Sequence, residues 1–378
     1  MAKILVVTGE LSGDWLASGL IRALKELRPD IYFYAVGGNN LRSAGAEIIT
    51  GIGELSVMGF TEVLFRLKTI RSALKNVSGW IRANRPDIVI LVDFPTFNFK
   101  IAKLANSMNI PIVYYIPPKI WASRYKRINF IKKYVNLVIL IFPFELQMYK
   151  NKGIDAYYAG NPLQNITNTI TKKDRPVIKS EQKYPVISFL PGSRSAELKH
   201  HSLKIIKTIE LIRLRYPRAF FIFPFKKGID KSYLIDKLSK AKLQESCYRI
   251  TDMTGEAFSE SDVIVVASGT ASLEAAFYNK PVIIIYSLNY LSYVLAKILV
   301  RLKYIGLINI LAGRQIVPEF IQKNFKPDNV YNEIVKYLED EKYKKRVLIE
   351  IESVILSLKT KNDPYKTAAA IILEKKFL

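Results

Sequence analysis

The sequence contains few of the residues that most often identify a catalytic class. Its 378 residues include one cysteine, Cys247, so no disulfide can form within the chain, which is typical of a reducing compartment. The two histidines, His200 and His201, are adjacent, which is a poor geometry for binding one metal ion, and no cluster of Cys, Asp or Glu accompanies them. GxSxG is absent, which argues against a histidine-activated serine nucleophile. We predict no catalytic metal and no cofactor.

Long hydrophobic runs are also absent. No stretch reaches the ~20 uninterrupted apolar residues that span a bilayer. The run LVILIFPF (137–144) is short and typical of a buried parallel strand, and Asn289 and Lys297 interrupt the longer segment 281–300. The N-terminus lacks a charged region followed by a long apolar one, so we expect no signal peptide and a cytoplasmic protein.

Acidic residues are scarce relative to basic ones. The chain has 57 Lys and Arg against 33 Asp and Glu, which gives a net charge of +24. Such an excess attracts nucleic acid, anionic lipid or phosphorylated substrates, although a lysine-rich coding bias with solvated basic faces is the alternative. Because the sequence has no zinc-finger spacing and no RNP-type stretch, we predict no nucleic-acid partner and expect the basic surface to face lipid headgroups.

The sequence is rich in hydrophobic residues, and strand-like and helix-like segments alternate along it. Hydrophobic residues make up 49%, and short β-branched runs alternate with helical patterns. This predicts an α/β protein with two Rossmann-like, doubly wound domains and a cleft between them. Ligands of such sheets bind at the carboxyl ends of the strands. We place a first domain at 1–165, a linker at 166–184, a second domain at 185–345, and at 346–378 C-terminal helices that can cross back to the first domain.

Two strand-to-loop junctions in the second domain indicate an anion site. In DVIVVASGTASLE (262–274) small residues separate a strand from a helix, whose first N–H groups suit a phosphate; ordinary N-capping is the alternative. In VISFLPGSRSAE (186–197) an arginine follows a strand and offers a fork of donors. Neither is a P-loop. We predict a sugar-nucleotide diphosphate site of Gly192, Ser193, Arg194, Ser268, Gly269, Thr270, Ser272 and Glu274, to which a loop in 309–322 adds Asn309, Arg314 and Gln322.

In the first domain, carboxylates stand where phosphate-binding glycines are expected. GELSGD (9–14) follows a strand and carries Glu10 and Asp14, and Asp93 ends the apolar strand of DIVILVDFPTFN (87–98). A carboxylate at such a strand end can accept a proton from an attacking hydroxyl. The alternative is structural: Asp93 caps the next helix and Glu10 orders its turn.

An apolar segment and a basic run complete the candidate features of the first domain. LSVMGFTEVLFRL (55–67) is unusually apolar for a segment that begins in a loop; core packing is the default, and a grip for acyl chains is the alternative. Segment 119–133 carries six Lys and Arg and no acid, which suits anionic lipid or a substrate phosphate.

Taken in order, these motifs resemble the lipid-A-disaccharide synthase family, which are inverting glycosyltransferases of the two-lobed GT-B fold. The matching stretches cover nearly the whole chain. They are GELSGD (9–14), AVGG (35–38), LSVMGFTEVL (55–64), DFPTFN (93–98), YYIPPKIWA (114–122), FPFE (142–145), GNPL (160–163), LPGSRSAE (190–197), ASGTASLE (267–274) and NILAGRQIVPEFIQ (309–322).

The resemblance implies the substrates and the roles of several residues. The donor would be UDP-2,3-diacylglucosamine and the acceptor 2,3-diacylglucosamine 1-phosphate (lipid X), whose 6-hydroxyl attacks to give a β-1,6-linked disaccharide 1-phosphate and UDP. It implies that Glu10 and Asp93 are needed for catalysis, without deciding which is the base, and that Arg194 and Asn309 are functional. The enzyme would act without a metal at the inner face of the cytoplasmic membrane. We assign acceptor and lipid contacts to Ser12, Asp14, Val57, Met58, Phe60, Asn98, Arg124 and Arg127.

The chain departs from the family pattern at five positions: Thr96, Pro117, Ser123, Asn161 and Ile308. These bear on acceptor contacts and loop shape more than on the reaction class. Two other hypotheses remain. One is a different UDP-sugar enzyme of the same fold, such as a 2-epimerase or the transferase of peptidoglycan lipid II. The other is a lipid- or nucleotide-binding relative without turnover.

Overall fold

The computed structural model describes residues 1–52, 63–169, 184–192, 195–225, 229–241, 243–267, 269–289, 293, 302–375 and 377. By the density of its internal contacts the chain divides into two compact units. The first unit is Met1–Pro162 together with Leu358–Leu378, and the second unit is Leu163–Ser357. The C-terminal residues therefore belong to the first unit.

The first unit is built on a seven-stranded parallel sheet. Its strands lie in the order β3-β2-β1-β4-β5-β6-β7, so the first strand is central and pairs with both β2 and β4. Strands β4 and β5 are buried along their whole length, because helices cover both faces of such sheets. The strands are β1 Lys3–Val7, β2 Tyr32–Gly37, β3 Ala46–Gly51, β4 Ile88–Val92, β5 Ile112–Tyr115, β6 Leu137–Leu140 and β7 Ala156–Tyr158.

Helices connect these strands, and the C-terminal helix packs beside them. The helices of the first unit are α1 Leu11–Leu27, α2 Asn39–Ser43, α3 Val63–Asn84, α4 Pro95–Ser107, α5 Arg127–Tyr134, α6 Glu145–Lys150 and, from the C-terminal segment, α15 Pro364–Glu374. The ring of Tyr365 packs on Gly19 of α1, where any side chain would collide with it. Asp363 caps α15 by accepting hydrogen bonds from Tyr365 N and Lys366 N at 2.7 and 3.1 Å.

The second unit repeats the plan with six parallel strands in the order β10-β9-β8-β11-β12-β13. The strands are β8 Val186–Leu190, β9 Phe220–Pro224, β10 Tyr248–Thr251, β11 Val263–Ala267, β12 Val282–Tyr286 and β13 Glu319–Ile321. The helices are α7 Gln164–Thr169, α8 Ser195–Arg215, α9 Ser232–Lys240, α10 Thr254–Glu260, α11 Thr270–Phe277, α12 Leu307–Ala312, α13 Pro327–Glu339 and α14 Glu341–Leu358. Short 3₁₀ turns lie at Glu245–Cys247 and Gln322–Asn324.

The predicted α/β class with two doubly wound sheets is confirmed, whereas several short elements were not predicted. The elements that were not predicted are short: strand β3, helix α10, helix α12 and strand β13. The expectation of a loop over 309–322 is wrong, because this segment contains the end of α12 and all of β13, although it is rich in small and polar residues. Most of the predicted linker and most of the segment after Asn289, for which the alternating pattern predicts a helix near 290–303, lie outside the described residues. Within the described part of the chain, every helix is too short or too polar to cross a bilayer.

Asp14 is buried, and its carboxylate binds backbone rather than ligand. One of its oxygens accepts from Gly38 N at 2.6 Å; the other accepts from Asn40 N at 3.0 Å and Asn40 Nδ2 at 2.8 Å. A Cβ on Gly38 would lie 3.0 Å from that carboxylate, which explains the paired glycines of AVGG. The carboxylate of Asp14 thus closes the turn between β2 and α2, and its contact with acceptor or lipid stays a prediction.

Replacing Asp14 should destabilise the first unit. In Asp14→Ala two backbone N–H groups lose their partner, which we expect to cost about 2–3 kcal/mol of unfolding free energy. All three tryptophans, Trp15, Trp80 and Trp121, lie in the first unit, so urea unfolding followed by tryptophan fluorescence isolates it. The control is Asp30→Ala, which breaks only an exposed ion pair with Arg28 and should change stability little. Equal effects of the two substitutions would contradict the capping role.

Candidate active site

The ends of β1 and β4 bring two acidic residues to one edge of the first sheet. The strands pair in parallel, with Val7 opposite Leu91, so Glu10 and Asp93 follow neighbouring strand ends. The ring of Phe94 packs directly on Gly9, and a side chain at position 9 would overlap that ring. The two turns, GELSGD and DFPTFN, therefore pack directly against each other.

Asp93 has an unusual backbone that its surroundings hold in place. Both Asp93 and Phe94 have positive φ, at 45° and 44°, which is costly for residues other than glycine. The Asp93 carbonyl accepts from Asn98 Nδ2 and from the Tyr114 hydroxyl, each at 2.7 Å, while Asp93 N donates to Ile116 O at 3.1 Å. Strain of this kind, over-determined by buried partners, is typical of functional positions.

The electrostatic setting of Asp93 favours proton uptake. Burial raises the pKa of its carboxyl, and the negative charge of Glu10 raises it further; Lys119, a hydrogen bond from the Phe94 backbone and Arg127 act in the opposite direction. A raised pKa makes a carboxylate a stronger base.

The structural alternatives for both acids find no support. The N-cap of α4 is Phe94 rather than Asp93, and Glu10, the N-cap of α1, makes no side-chain capping bond and is exposed.

Lys119 belongs to this cluster and was absent from our predicted site. It follows β5 in YYIPPKIWA, and desolvation lowers the pKa of its ammonium while Asp93, Glu145 and Glu10 raise it. A single cation thus interacts with three carboxyls at the carboxyl end of the sheet. The sequence contains a signal, since Lys119 opens the basic run 119–133, for which we predict contact with anionic lipid or a substrate phosphate rather than with carboxyl groups of the protein.

Glu145 is a buried acid next to Lys119 and was also missed. Its Oε1 accepts from Trp121 Nε1 at 2.7 Å, which links the FPFE and YYIPPKIWA segments. Burial raises the pKa of Glu145 to about 7, opposed by the Trp121 hydrogen bond and by Lys119. The neighbouring Tyr149 is fully buried, and burial raises the pKa of its phenol.

The predicted acceptor residues of the first unit separate into two groups. Arg124 and Arg127 lie at the start of α5, with Arg127 5.7 Å from the centre of the Phe99 ring, and Ser12 is half-buried in the first turn of α1. Asn98 is fully buried, and its Nδ2 lies 3.4, 3.2 and 2.7 Å from the carbonyls of Val7, Val92 and Asp93. The Asn98 amide shapes the DFPTFN turn, and its contact with the acceptor stays a prediction. Val57, Met58 and Phe60 lie outside the described residues.

In the second unit, glycines with positive φ mark the two predicted anion loops. Gly192 follows β8 with φ 121°, and Gly269 precedes α11 with φ 138°, conformations that strongly favour glycine. Ser272 is buried, and its hydroxyl donates to Gly269 O at 2.8 Å, so it orders the turn rather than facing outward. Glu274 lies on α11 and is half-buried. Ser193, Arg194, Ser268 and the Thr270 side chain lie outside the described part.

Asn309 is fully buried in helix α12, not in a loop. Its Nδ2 donates to Val317 O at 2.9 Å and Glu319 Oε1 at 2.8 Å, and its Oδ1 accepts from the backbone N–H groups of Ile316 and Val317 at 2.8 and 3.0 Å. Glu319 in turn accepts from the backbone before α12. The Asn309 amide thus holds the segment that precedes β13, and its contact with a ligand stays a prediction.

Gln322 and Arg314 are likewise engaged within the second unit. The Gln322 amide pairs with both backbone groups of Leu288, accepting at 2.7 Å and donating at 3.1 Å, much as a neighbouring strand does. Arg314 forms an ion pair with Glu350 of α14. The predicted ligand contacts of Gln322 are therefore not supported; its amide fixes the segment after β12.

Glu145 makes the stability of the first unit depend on pH. Because its folded-state pKa is raised above the usual 4.5 to about 7, the unfolded chain releases its proton first as pH rises. Stability supplied by the neutral carboxyl is therefore present below pH 4.5 and is lost by about pH 7. Relative to Glu145→Gln, wild type should lose up to about 3 kcal/mol between pH 5 and 8 in urea unfolding followed by tryptophan fluorescence.

The exposed Glu47 of β3 provides the matched control. Glu47→Gln should leave the difference from wild type constant across the same pH range. A pH-independent difference for Glu145→Gln would show that the carboxyl is ionised throughout.

Comparison with known proteins identifies the family. Residues 4–372 match the family model described as lipid-A-disaccharide synthetase. The chain is 37% identical over 329 residues to lipid-A-disaccharide synthase 1 of Legionella pneumophila, covering 85% of this chain and 84% of that protein. It is 33% identical over 372 residues to the lipid-A-disaccharide synthase of Anaeromyxobacter dehalogenans, covering 98% and 97%.

Solved structures confirm the GT-B fold class and no more than that. The UDP-GlcNAc 2-epimerase of Neisseria meningitidis, bound to UDP-GlcNAc, has a TM-score of 0.65 at 14% identity and covers 99% of both chains. A glycosyltransferase from Rickettsia africae has a TM-score of 0.55 at 14% identity and covers 100% of this chain and 98% of its own. The fold alone does not separate epimerase from transferase, whereas the sequence match does. This chain belongs to the lipid-A-disaccharide synthase family, the glycosyltransferases of lipid A biosynthesis.

Proposed function

We propose that this chain joins UDP-2,3-diacylglucosamine to 2,3-diacylglucosamine 1-phosphate. The acceptor 6-hydroxyl attacks the anomeric carbon of the donor, the bond from that carbon to the diphosphate breaks, and UDP leaves with the bonding electrons. The product is a β-1,6-linked disaccharide 1-phosphate with inverted configuration. Family membership over 4–372 supports the reaction class, and the observation that carries the site assignment is Asp93, strained and with a raised pKa beside Glu10.

Asp93 is the proposed general base. It takes the proton of the acceptor hydroxyl as the new carbon–oxygen bond forms, and its raised pKa increases its basicity. Glu10, on the neighbouring strand end, orients the same hydroxyl and raises the pKa of Asp93 by charge repulsion. Lys119 balances these charges, so that Asp93 can still ionise.

The second unit is proposed to hold the diphosphate of the donor. The backbone N–H groups at the start of α11 and the guanidinium of Arg194 are the donors, and they would stabilise the negative charge of departing UDP. At Gly269, φ is positive and no side chain lies within 4 Å of the place where a Cβ would stand, so the backbone before α11 is open to a ligand.

Removing the carboxylate of Asp93 should abolish turnover without affecting nucleotide binding. We expect Asp93→Asn to lower UDP release from the two acylated sugars by at least about 10²-fold, the usual contribution of a general base. UDP affinity, measured by calorimetry, should be unchanged, because UDP is proposed to bind the second unit.

The control is Asp87→Asn, which removes a carboxylate at the opposite end of β4, where Asp87 accepts from Lys3 N at 2.7 Å. This variant should retain turnover. Both assays contain excess chelator, and a strict requirement for Mg²⁺ would contradict the proposed diphosphate site. Full turnover by Asp93→Asn would remove Asp93 from its role.

Attachment to an anionic membrane surface is the second part of the proposal. The net charge of +24 and the exposed Lys132 and Lys133 at the end of α5 support it. The substrates carry acyl chains, so the protein would work in the cytoplasm at the inner face of the cytoplasmic membrane, as a peripheral protein.

Neutralising two basic residues on α5 should weaken binding to anionic vesicles. Each Lys near an anionic surface contributes about 1 kcal/mol, so Lys132→Gln with Lys133→Gln should reduce affinity roughly 10–30-fold at low salt. High salt should lower wild-type affinity in parallel. The matched control, Lys150→Gln with Lys152→Gln, removes the same charge from other exposed positions of the first unit and should have a smaller effect. Equal binding to neutral and anionic vesicles would contradict the proposal.

A further inference from the structure

His201 is a fully buried residue of α8 that connects the ends of two strands in the second unit. Its Nδ1 lies 2.6 Å from the carbonyl oxygen of Pro191, immediately after β8. Its Nε2 lies 2.9 Å from Ser287 N, immediately after β12. One imidazole therefore joins Pro191, at the end of β8, to Ser287, at the end of β12.

The chemistry of the two partners fixes the tautomer of the ring. A carbonyl only accepts, so Nδ1 carries the proton; a backbone N–H only donates, so Nε2 is unprotonated. Nε2 also lies 3.1 Å from Ser287 O, and a second ring proton would turn toward that oxygen and leave Ser287 N without its acceptor. Burial lowers the pKa of His201, which keeps the ring neutral.

Side chains on three sides also contact residues 286–288, at the end of β12. From α8, Glu197 accepts from the Tyr286 hydroxyl at 3.2 Å, and Lys204 Nζ lies 3.3 Å from Ser287 Oγ. Glu197 raises the pKa of His201 and Lys204 lowers it. The rings of Tyr286 and Phe325 pack edge-on against the imidazole, each with its centre 5.6 Å away. The Gln322 amide then fixes the next residue, Leu288.

We infer that His201 is a positioning residue for the nucleotide diphosphate: by joining Pro191 to Ser287 it holds the backbone that leads into Gly192, at the end of β8. The inference rests on the proposed binding of UDP by the second unit. His201 itself touches no ligand in this scheme, because both of its nitrogens are used by backbone groups. Its loss should therefore weaken binding of the donor diphosphate and raise KM, and it should also lower kcat, because the same groups are proposed to stabilise departing UDP.

The first test reads the tautomer in the wild-type protein. The chain has only two histidines, so ¹⁵N-histidine labelling gives two ring systems, assigned by His200→Gln and His201→Gln. We expect the His201 ring to be fixed as the Nδ1–H tautomer from pH 6 to 8, and UDP to shift its signals but not those of His200. Fast tautomer averaging, an Nε2–H tautomer or no response to bound UDP would overturn the inference.

The second test measures UDP affinity and steady-state kinetics. His201→Phe keeps an aromatic ring and removes both polar contacts; we expect UDP to bind about tenfold more weakly or worse, as for the loss of a buried hydrogen bond, with KM for the donor raised similarly. His201→Gln retains one amide for the backbone and should recover part of the affinity. His200→Gln, the adjacent control, should match wild type. Unchanged UDP affinity in His201→Phe would overturn the inference.

The two proposals fail in different ways. If wild-type protein does not bind UDP, the assignment of the second unit fails, and the inference about His201 fails with it, even if the tautomer is as expected. If UDP binds and turnover occurs but the His201 variants behave like His200→Gln, only the inference fails. Should His201→Phe not fold, the UDP response of the wild-type ring and the Gln variant still decide the question.

Discussion

Buried backbone groups at the ends of parallel strands need partners, and in this protein polar side chains supply them. Where a strand ends, its last N–H and C=O groups leave the ladder while still inside the protein, and each one left without a partner costs about 1–3 kcal/mol. Asp14, Asn98, Asn309 and His201 each meet two or more such groups. Asp14, Asn98 and His201 act where strands end, whereas Asn309 acts on the segment that leads into β13. The shapes of these connections depend on the four side chains.

This constraint explains why so few polar residues remain available for chemistry in the first unit. With Asp14 and Asn98 committed to backbone, the acids at the carboxyl ends of β1 and β4 are Glu10 and Asp93. Their mutual repulsion and the burial of Asp93 raise its pKa, and Lys119 opposes that rise. The strained turn that holds Asp93 is stabilised by the same type of contact, since Asn98 and Tyr114 both bind its carbonyl. The residues that shape the turn, Asn98 and Tyr114, are therefore distinct from Asp93, the proposed base, and contact it directly.

The comparisons show how little the fold alone says about the reaction. An epimerase and a glycosyltransferase both superpose on this chain at 14% identity, because two doubly wound sheets suit many ligands at their strand ends. The family follows from sequence, through 33–37% identity across most of the chain. Two departures from the family pattern are compatible with the local structure. Ile308, where the family commonly has Pro, lies in the first turn of α12, a position at which either residue is tolerated. Asn161 is buried and donates to Ile141 O at 3.2 Å.

The sequence by itself determined the α/β class, most strands, the family and the position of Asp93 at a strand end, because apolar periodicity and local motifs are short-range signals. Only the tertiary structure decided what each polar residue does. Asn309 and Gln322 have the composition of ligand contacts, yet their partners are backbone groups brought near by folding. Glu145 and Lys119 are ordinary charged residues in the sequence. The burial of Glu145 and the carboxyls around Lys119, which no local pattern encodes, give them their electrostatic roles.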